Sequence, residues 1–263
     1  MSRWLLALVF CLLSIPAWAG DWRDSLTSAQ PGKFPPPRPW KGFYRFGWSG
    51  ISAAQATFNF AKAPRGQYQL SMSTQTTGAV RSLWRMDSTH TALCSASTLR
   101  PVSLRQTEVY KSETENTRAD FSPEGVRYLC QETPSKEPPR KERRFKFTSA
   151  FDLQTALLFI RSQRLQAGEH YRMVVFPGKG AYLADIDVLG PDKLKVPAGS
   201  YDAIKCQLHI QEVNKRLELE PHKKFQRAYA WLSDDRDRLL LKIEAEVFVG
   251  SVWTELQSVE FPP

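Results

Sequence analysis

The feature that most constrains this chain is a period of two. From Gly42 onward, apolar and polar residues alternate in run after run. Tyr68, Leu70 and Met72 stand between Gln67, Gln69, Ser71 and Ser73. Val126, Tyr128 and Cys130 alternate with Arg127 and Gln131. Tyr182, Ala184, Ile186 and Val188 share a face opposite Asp185 and Asp187. Ile204, Cys206, Leu208 and Ile210 oppose Lys205, Gln207, His209 and Gln211. Leu239, Leu241, Ile243, Ala245, Val247 and Val249 make the longest such face. Successive side chains of a strand point to opposite faces, so each run builds a strand with one buried face. Turn-forming clusters separate the runs: "APRG" (63–66), "SPEG" (122–125), "PGKG" (177–180), "GPDK" (190–193) and "SDDRD" (233–237). Many strands of this kind predict a mainly β fold, an antiparallel curved sheet or a β-barrel.

One stretch breaks the pattern. Residues 149–167, within "TSAFDLQTALLFIRSQRLQAG", read as a helix. Ser149 with Asp152 three residues later fits a capping box. Leu153, Ala156, Leu157 and Ile160 recur at helical spacing, and Leu158 and Phe159 widen the apolar face beyond what a surface helix shows. Arg161 and Arg164 fall near the C-terminal end, where cations are favoured. A single apolar helix inside an all-β chain is expected to pack against the curved sheet or plug it.

The ends set the compartment. Arg3 followed by "WLLALVFCLLSI" (4–15) and "AWA" (17–19) reads as a secretory signal over residues 1–19, with cleavage after Ala19. The apolar run is too short to span a bilayer. The expected location is the periplasm, with no transmembrane span after cleavage. Residues 20–41 form a Pro-rich arm, with "PGKFPPPRPW" (31–40) predicted extended and exposed. Residues 42–263 read as a single β domain. The net charge is +9, and losing Arg3 takes it to +8. An exported chain with this balance meets anionic envelope surfaces and not nucleic acid. Cys94, Cys130 and Cys206 remain after cleavage. An oxidising compartment permits one disulfide; three pairings are open, and Cys94–Cys130 across neighbouring strands is one candidate.

No motif declares a reaction. "PAGSYD" around Ser200 lacks the flanking glycines of a nucleophile elbow. His90, His170, His209 and His222 lie in different segments. "DDRD" (234–237) concentrates carboxylates but lacks calcium-loop spacing, and aspartates of this kind serve hairpin turns. No catalytic residue, metal site or cofactor is expected. Curved sheets with a helix at the mouth can enclose an apolar cavity. Its candidate lining is Phe58, Phe60, Tyr68, Leu70, Trp84, Tyr128, Tyr182, Tyr229 and Trp231, with Leu157 and Ile160 from the helix. Each is equally an ordinary core residue.

Several separated motifs occur in order: "YRFGWSGISAAQATFNF", "FDLQTALLFIR" with Asp152 and Arg161, "AGEHYRMVVF", "VPAGSYDAIKCQL" and "AWLSDDRDRLLLKIEAEVFVGSVWTEL". Together with the signal-like start, they make the chain resemble the bacterial exported family known as domain of unknown function 3108, over roughly residues 42–261. The resemblance implies one antiparallel β domain with one helix. It carries no established reaction and no site residues. Its shape is similar to periplasmic lipid and lipoprotein carriers, which is an analogy of fold. The expected function is therefore a non-catalytic periplasmic protein that binds a lipid, lipoprotein or other apolar envelope component. The alternative is a scaffold or chaperone-like factor for an envelope or secretion complex, docking an envelope protein through the arm or a sheet edge. A hydrolase comes third.

Overall fold

The computed structural model describes residues 21–134, 141–222, 225–247 and 250–262. The signal-like segment, its cleavage site, residues 136–140 of the basic run and Val249 lie outside the described residues. The alternating runs form strands. In chain order they are β1 (Trp40–Trp48), β2 (Ile51–Ala63), β3 (Gln67–Thr76), β4 (Met86–Ser95), β5 (Pro101–Tyr110), β6 (Glu113–Ser122), β7 (Gly125–Thr133) and β8 (Arg143–Phe145). Beyond the central helix come β9 (His170–Val175), β10 (Ala181–Val196), β11 (Gly199–Val213), β12 (Leu219–Pro221), β13 (Phe225–Ser233), β14 (Leu240–Val247) and β15 (Ser251–Glu260).

All fifteen join one antiparallel sheet, ordered β8-β7-β6-β5-β4-β3-β2-β1-β15-β14-β13-β11-β10-β9, with β12 paired to β11. The curved-sheet form of the expectation holds; the sheet does not close into a barrel. Its two end strands, β8 and β9, are not paired in a ladder; aromatic side chains meet between them, and the segment before α2 bridges to β9. Phe151 makes a lone parallel bridge to Val175. The Phe145 and Phe176 rings stack with centroids 5.9 Å apart, and Tyr128 meets Phe176 at 4.9 Å.

The predicted helix is shorter than its apolar run. It spans Leu153–Ser162 (α2), and its N-cap is Asp152, not Ser149. The Asp152 carboxylate accepts from the backbone N–H of Gln154 and Thr155 at 2.9 and 3.1 Å. The Thr155 hydroxyl donates to its second oxygen at 2.6 Å. The helix cannot begin earlier because Phe151 is held in the sheet, donating to the Val174 carbonyl and accepting from Phe176. Ala156, Phe159 and Ile160 pack on the face of β9, β10, β11 and β13 that carries Met173, Ile186, Val188, Ile204, Cys206 and Leu232. Leu158 belongs to a second, larger core with Phe58, Phe60, Leu70, Ala92 and Leu104. Leu153, expected on the apolar stripe, is exposed. A second helix, α1 (Gly78–Leu83), joins β3 to β4. At six residues it is too short to show a helical period.

The Pro-rich arm is not a free tether. Trp22 stacks on Phe147 at 5.9 Å and donates its indole N–H to the Leu217 carbonyl. The Thr27 N–H bonds the Arg172 carbonyl. Gly32 and Phe34 both donate to Ser162, at the end of α2. A Cβ on Gly32 would stand 2.0 Å from the Ser162 carbonyl oxygen, so only glycine allows this approach. Arg161, 6% exposed, fixes the junction. Its guanidinium donates to the carbonyls of Pro35, Arg236 and Asp237 at 2.8, 3.0 and 2.8 Å. Burial, with Arg238 nearby, pushes its pKa down to about 10. Arg38 of the arm pairs with the Asp237 carboxylate through two nitrogens.

Candidate functional site

Most of the expected cavity lining gathers in the larger core, with Tyr128, Tyr229 and Trp231 in or against it. Phe58, Phe60, Tyr68 and Leu70 are buried in the larger core, with Phe60 and Tyr68 ring centroids 4.9 Å apart. Ile160 is buried against the sheet, and Leu157 packs at that cluster's edge. Tyr182 is half-buried beside His222. One residue departs from an inward position. Trp84 is 49% exposed and stacks on Tyr110. Trp231 is buried in the larger core and Tyr229 packs against it, on the opposite face of β13 from Ala228, Ala230 and Leu232. Register sets Trp231 against Lys205 and Lys242. Lys205 Nζ rides 4.8 and 5.1 Å from the Tyr229 and Trp231 ring centres. Asp192 accepts the Trp231 indole N–H at 2.9 Å.

The thiols are also corrected. Cys94, Cys130 and Cys206 are all free and buried. Cys94 on β4 and Cys130 on β7 are separated by β5 and β6, too far for a bridge. Burial pushes the Cys94 thiol up to about 12 and Cys206 up to about 11, the behaviour of packing residues. Cys130 instead borders a notch of about 130 Å³ with Tyr128, Lys141, Arg143 and Lys179. Lys179 there is paired with Glu115.

The Ser200 question resolves toward structure. Val196 and Gly199 pair across Pro197-Ala198, so "VPAG" is a two-residue hairpin turn, and Ser200 pairs with Lys195 inside the ladder. The histidine contacts run elsewhere: His90 to Glu108 and Gln106, His170 to Asp187. Asp235 caps its own hairpin, accepting from Asp237 N–H, Arg238 N–H and the Ser233 hydroxyl.

Two surface features stand out. The first is an apolar end. Seven large hydrophobic residues are exposed among the described residues. Four of them, Trp48, Ile51, Leu83 and Trp84, stand at one end of the sheet. Trp48 and Ile51 flank the β1–β2 turn. Leu83 and Trp84 end α1, which is tied to β2 by the Thr77 N–H bond to Ala53. Arg81 and Arg85 sit among them and share Asp87, and Lys111 donates its N–H to the Arg85 carbonyl. Trp84 was the only one of the four among the expected ligand residues. The signal that could have found the others is a large apolar residue placed directly at a turn.

The second is a trough of about 640 Å³ across β1–β5. Register builds it. One wall is the row Phe43, Thr57, Ser73, Thr89, Thr107, each directly opposite the next. The other wall is Arg45, Gln55, Gln75, Asp87, Val109, paired in the same way. The floor between them is the row of Tyr44, Ala56, Thr74 and Ser88, whose side chains point to the other face. Gln257, the bulged residue of β15, closes the β1 end. Arg81 holds the Asp87 carboxyl below the usual carboxylate range.

The sequence pattern of DUF3108, a protein family of unknown function, matches residues 43–257. Among curated proteins no sequence match is found. Among solved structures, a β-barrel-like protein of the domain of unknown function DUF1849 from Brucella abortus superposes with a TM-score of 0.56. It is 9% identical, over 87% of this chain and 99% of that one. A protein from Bacteroides fragilis described as exported, with a YmcC-like fold, gives a TM-score of 0.38 at 7% identity, over 88% and 99%. The first likeness shows a shared fold; the second is too loose to argue from.

Proposed function

This chain belongs to the DUF3108 family, and we propose that it is an exported, non-catalytic envelope protein that engages a lipid surface from outside. The carrying observation is the apolar end. Trp48 is 45%, Ile51 57%, Leu83 79% and Trp84 49% exposed, all at one pole of the sheet. Isolated exposed hydrophobic residues are ordinary, but several gathered at turns with arginines beside them suit a membrane interface. Indole rings are at home at the headgroup level, and guanidiniums face anionic phosphates. The packed interior argues for contact at the surface over carriage within. The signal-like segment 1–19 supplies the export expectation.

The test is flotation of the mature protein with vesicles of phosphatidylethanolamine and phosphatidylglycerol. Each half-exposed large side chain contributes about 1 kcal/mol when inserted, about a third to a half of full burial. Replacing Trp48, Leu83 and Trp84 together with serine is expected to cut the bound fraction by at least tenfold. Equal flotation of variant and wild type would sink the reading. An intact mass beginning at Gly20 in periplasmic extract checks the export. The scaffold alternative through the arm has less support, because the arm's bonding groups already serve α2, β9 and the β13–β14 turn.

A further inference from the structure

The trough across β1–β5 has a chemistry unlike the apolar end. We propose that it is a binding site for an extended, β-linked neutral glycan.

The argument begins with what the trough offers. Its floor is strand backbone, and those N–H and C=O groups are consumed by the ladders on both sides. An extended peptide needs free backbone partners, as a sheet edge provides and a sheet face does not. An acyl chain needs continuous apolar walls, and here the hydroxyls and amides of Thr57, Ser73, Thr89, Thr107, Gln55 and Gln75 interrupt them. What remains are neutral polar side chains: the hydroxyls of Thr57, Ser73 and Thr89, which both donate and accept, and that of Thr107, which donates to Asn116 and can still accept, facing the amides of Gln55 and Gln75. Sugar hydroxyls have the same double character. The cationic Arg45 and the arginine-held Asp87 lie in the same wall, so the trough carries no strong net field.

Spacing supports the same occupant. Neighbouring strands stand about 4.8 Å apart, so five strands give a trough of roughly 19 Å with one hydroxyl per strand step. That step is close to the length of one pyranose ring in an extended β-1,4-linked chain. Successive sugars would each meet one strand's hydroxyl. Phe43, at the β1 end, adds apolar surface to the trough for the C–H groups of a sugar ring. The trough runs across the strands, so the ligand axis is set by register and not by any single loop.

The probes are cellohexaose and N-acetylglucosamine hexasaccharide, titrated into the mature protein and followed by calorimetry and by amide chemical-shift changes. Saturable binding of at least one, with shifts confined to residues 55–57, 73–75 and 87–89, is expected. The double variant Ser73→Val, Thr89→Val removes two hydroxyls. Valine suits a strand as well as threonine does, so pairing is retained. One lost hydrogen bond weakens binding about fivefold, so the pair should cost about 25-fold. Failure of both hexasaccharides to saturate at millimolar concentration overturns the proposal. So does a shift map centred elsewhere, or unchanged affinity in the double variant. If that variant misfolds, the wild-type shift map alone decides. Vesicle flotation should be the same in wild type and double variant, which separates this site from the apolar end.

Discussion

Arg161→Met should detach the arm and loosen the fold together. The side chain is almost wholly buried, and its three bonds reach three backbone carbonyls in two other segments. Methionine keeps the apolar stem and removes every donor. A hydrogen bond from a charged group contributes about 1.5–3 kcal/mol, so three could total roughly 4.5–9. The cost of burying the guanidinium, visible in its lowered pKa, offsets part of that. The expected net loss is about 2–4 kcal/mol. For a domain of this size that lowers Tm by roughly 5–15 °C. The same change should expose residues 21–40 to limited proteolysis, because Pro35 loses its anchor and Phe34 loses one of the two arginines stacked on it, at 5.3 Å from Arg161 and 3.4 Å from Arg238. Arg164→Met is the control, since Arg164 is largely exposed and bonds only neighbours on the surface. An Arg161→Met protein with wild-type Tm and a wild-type cleavage pattern would refute the assignment of Arg161 as the junction.

Two further outcomes follow from buried polar groups. Asp152→Ala should cost about 2–4 kcal/mol in urea unfolding, since it removes the cap and leaves two buried N–H groups unpaired. Asp152→Asn, which keeps the accepting Oδ1, should cost about 1 kcal/mol or less; equal losses would contradict the capping role. Glu108 is held below its ordinary 4.5, first by the His90 hydrogen bond. Its folded carboxyl therefore gives up its proton at a lower pH than the unfolded one. The contribution is complete above about pH 4.5 and is lost as the pH falls through the folded value. Glu108→Gln should accordingly narrow its stability gap from wild type between pH 6 and pH 3, measured as Tm against pH; a gap that widens toward acid would have the wrong sign.

The strands were legible because their signal is local. In β10 and β11 the alternation named the inward residues Ile186, Val188, Ile204 and Cys206, whereas "GPDK" (190–193), expected as a turn, runs on inside β10 past a bulge. Asp152 and Arg161, the residues marked within the helical motif, are the two that cap and anchor it. What failed depended on partners. The helix start moved from Ser149 to Asp152 because Phe151 was claimed by β9, and no local pattern records that. Trp84 looked inward by size, yet it ends α1 on the surface, a place set by the β3–β4 connection. The arm looked exposed by composition, since proline content does not show which carbonyls meet Ser162 or Arg161. The trough was invisible for the same reason. Thr57, Ser73, Thr89 and Thr107 lie in four different strands, and only register makes them a row.

The same packing favours the proposed contacts on the outside of the sheet. A curved sheet of this many strands could enclose an acyl-chain cavity. Here α2 occupies one part of the concave side, and Phe176 closes another against Phe121, Tyr128 and Phe145. An internal ligand would have to displace aromatic side chains whose loss from a core costs about 3–5 kcal/mol each. It would also have to disturb the Phe151 bridge that holds the segment before α2 to β9. A lipid surface touching Trp48, Leu83 and Trp84 displaces only water, and a glycan in the trough exchanges hydration for hydroxyls already facing solvent. Contacts that cost no core packing are favoured over one that does. Filling of the interior thus explains both why the aromatic residues chosen from sequence serve mainly as core and why the candidate sites are made from turn tips and an outward-facing row of threonines.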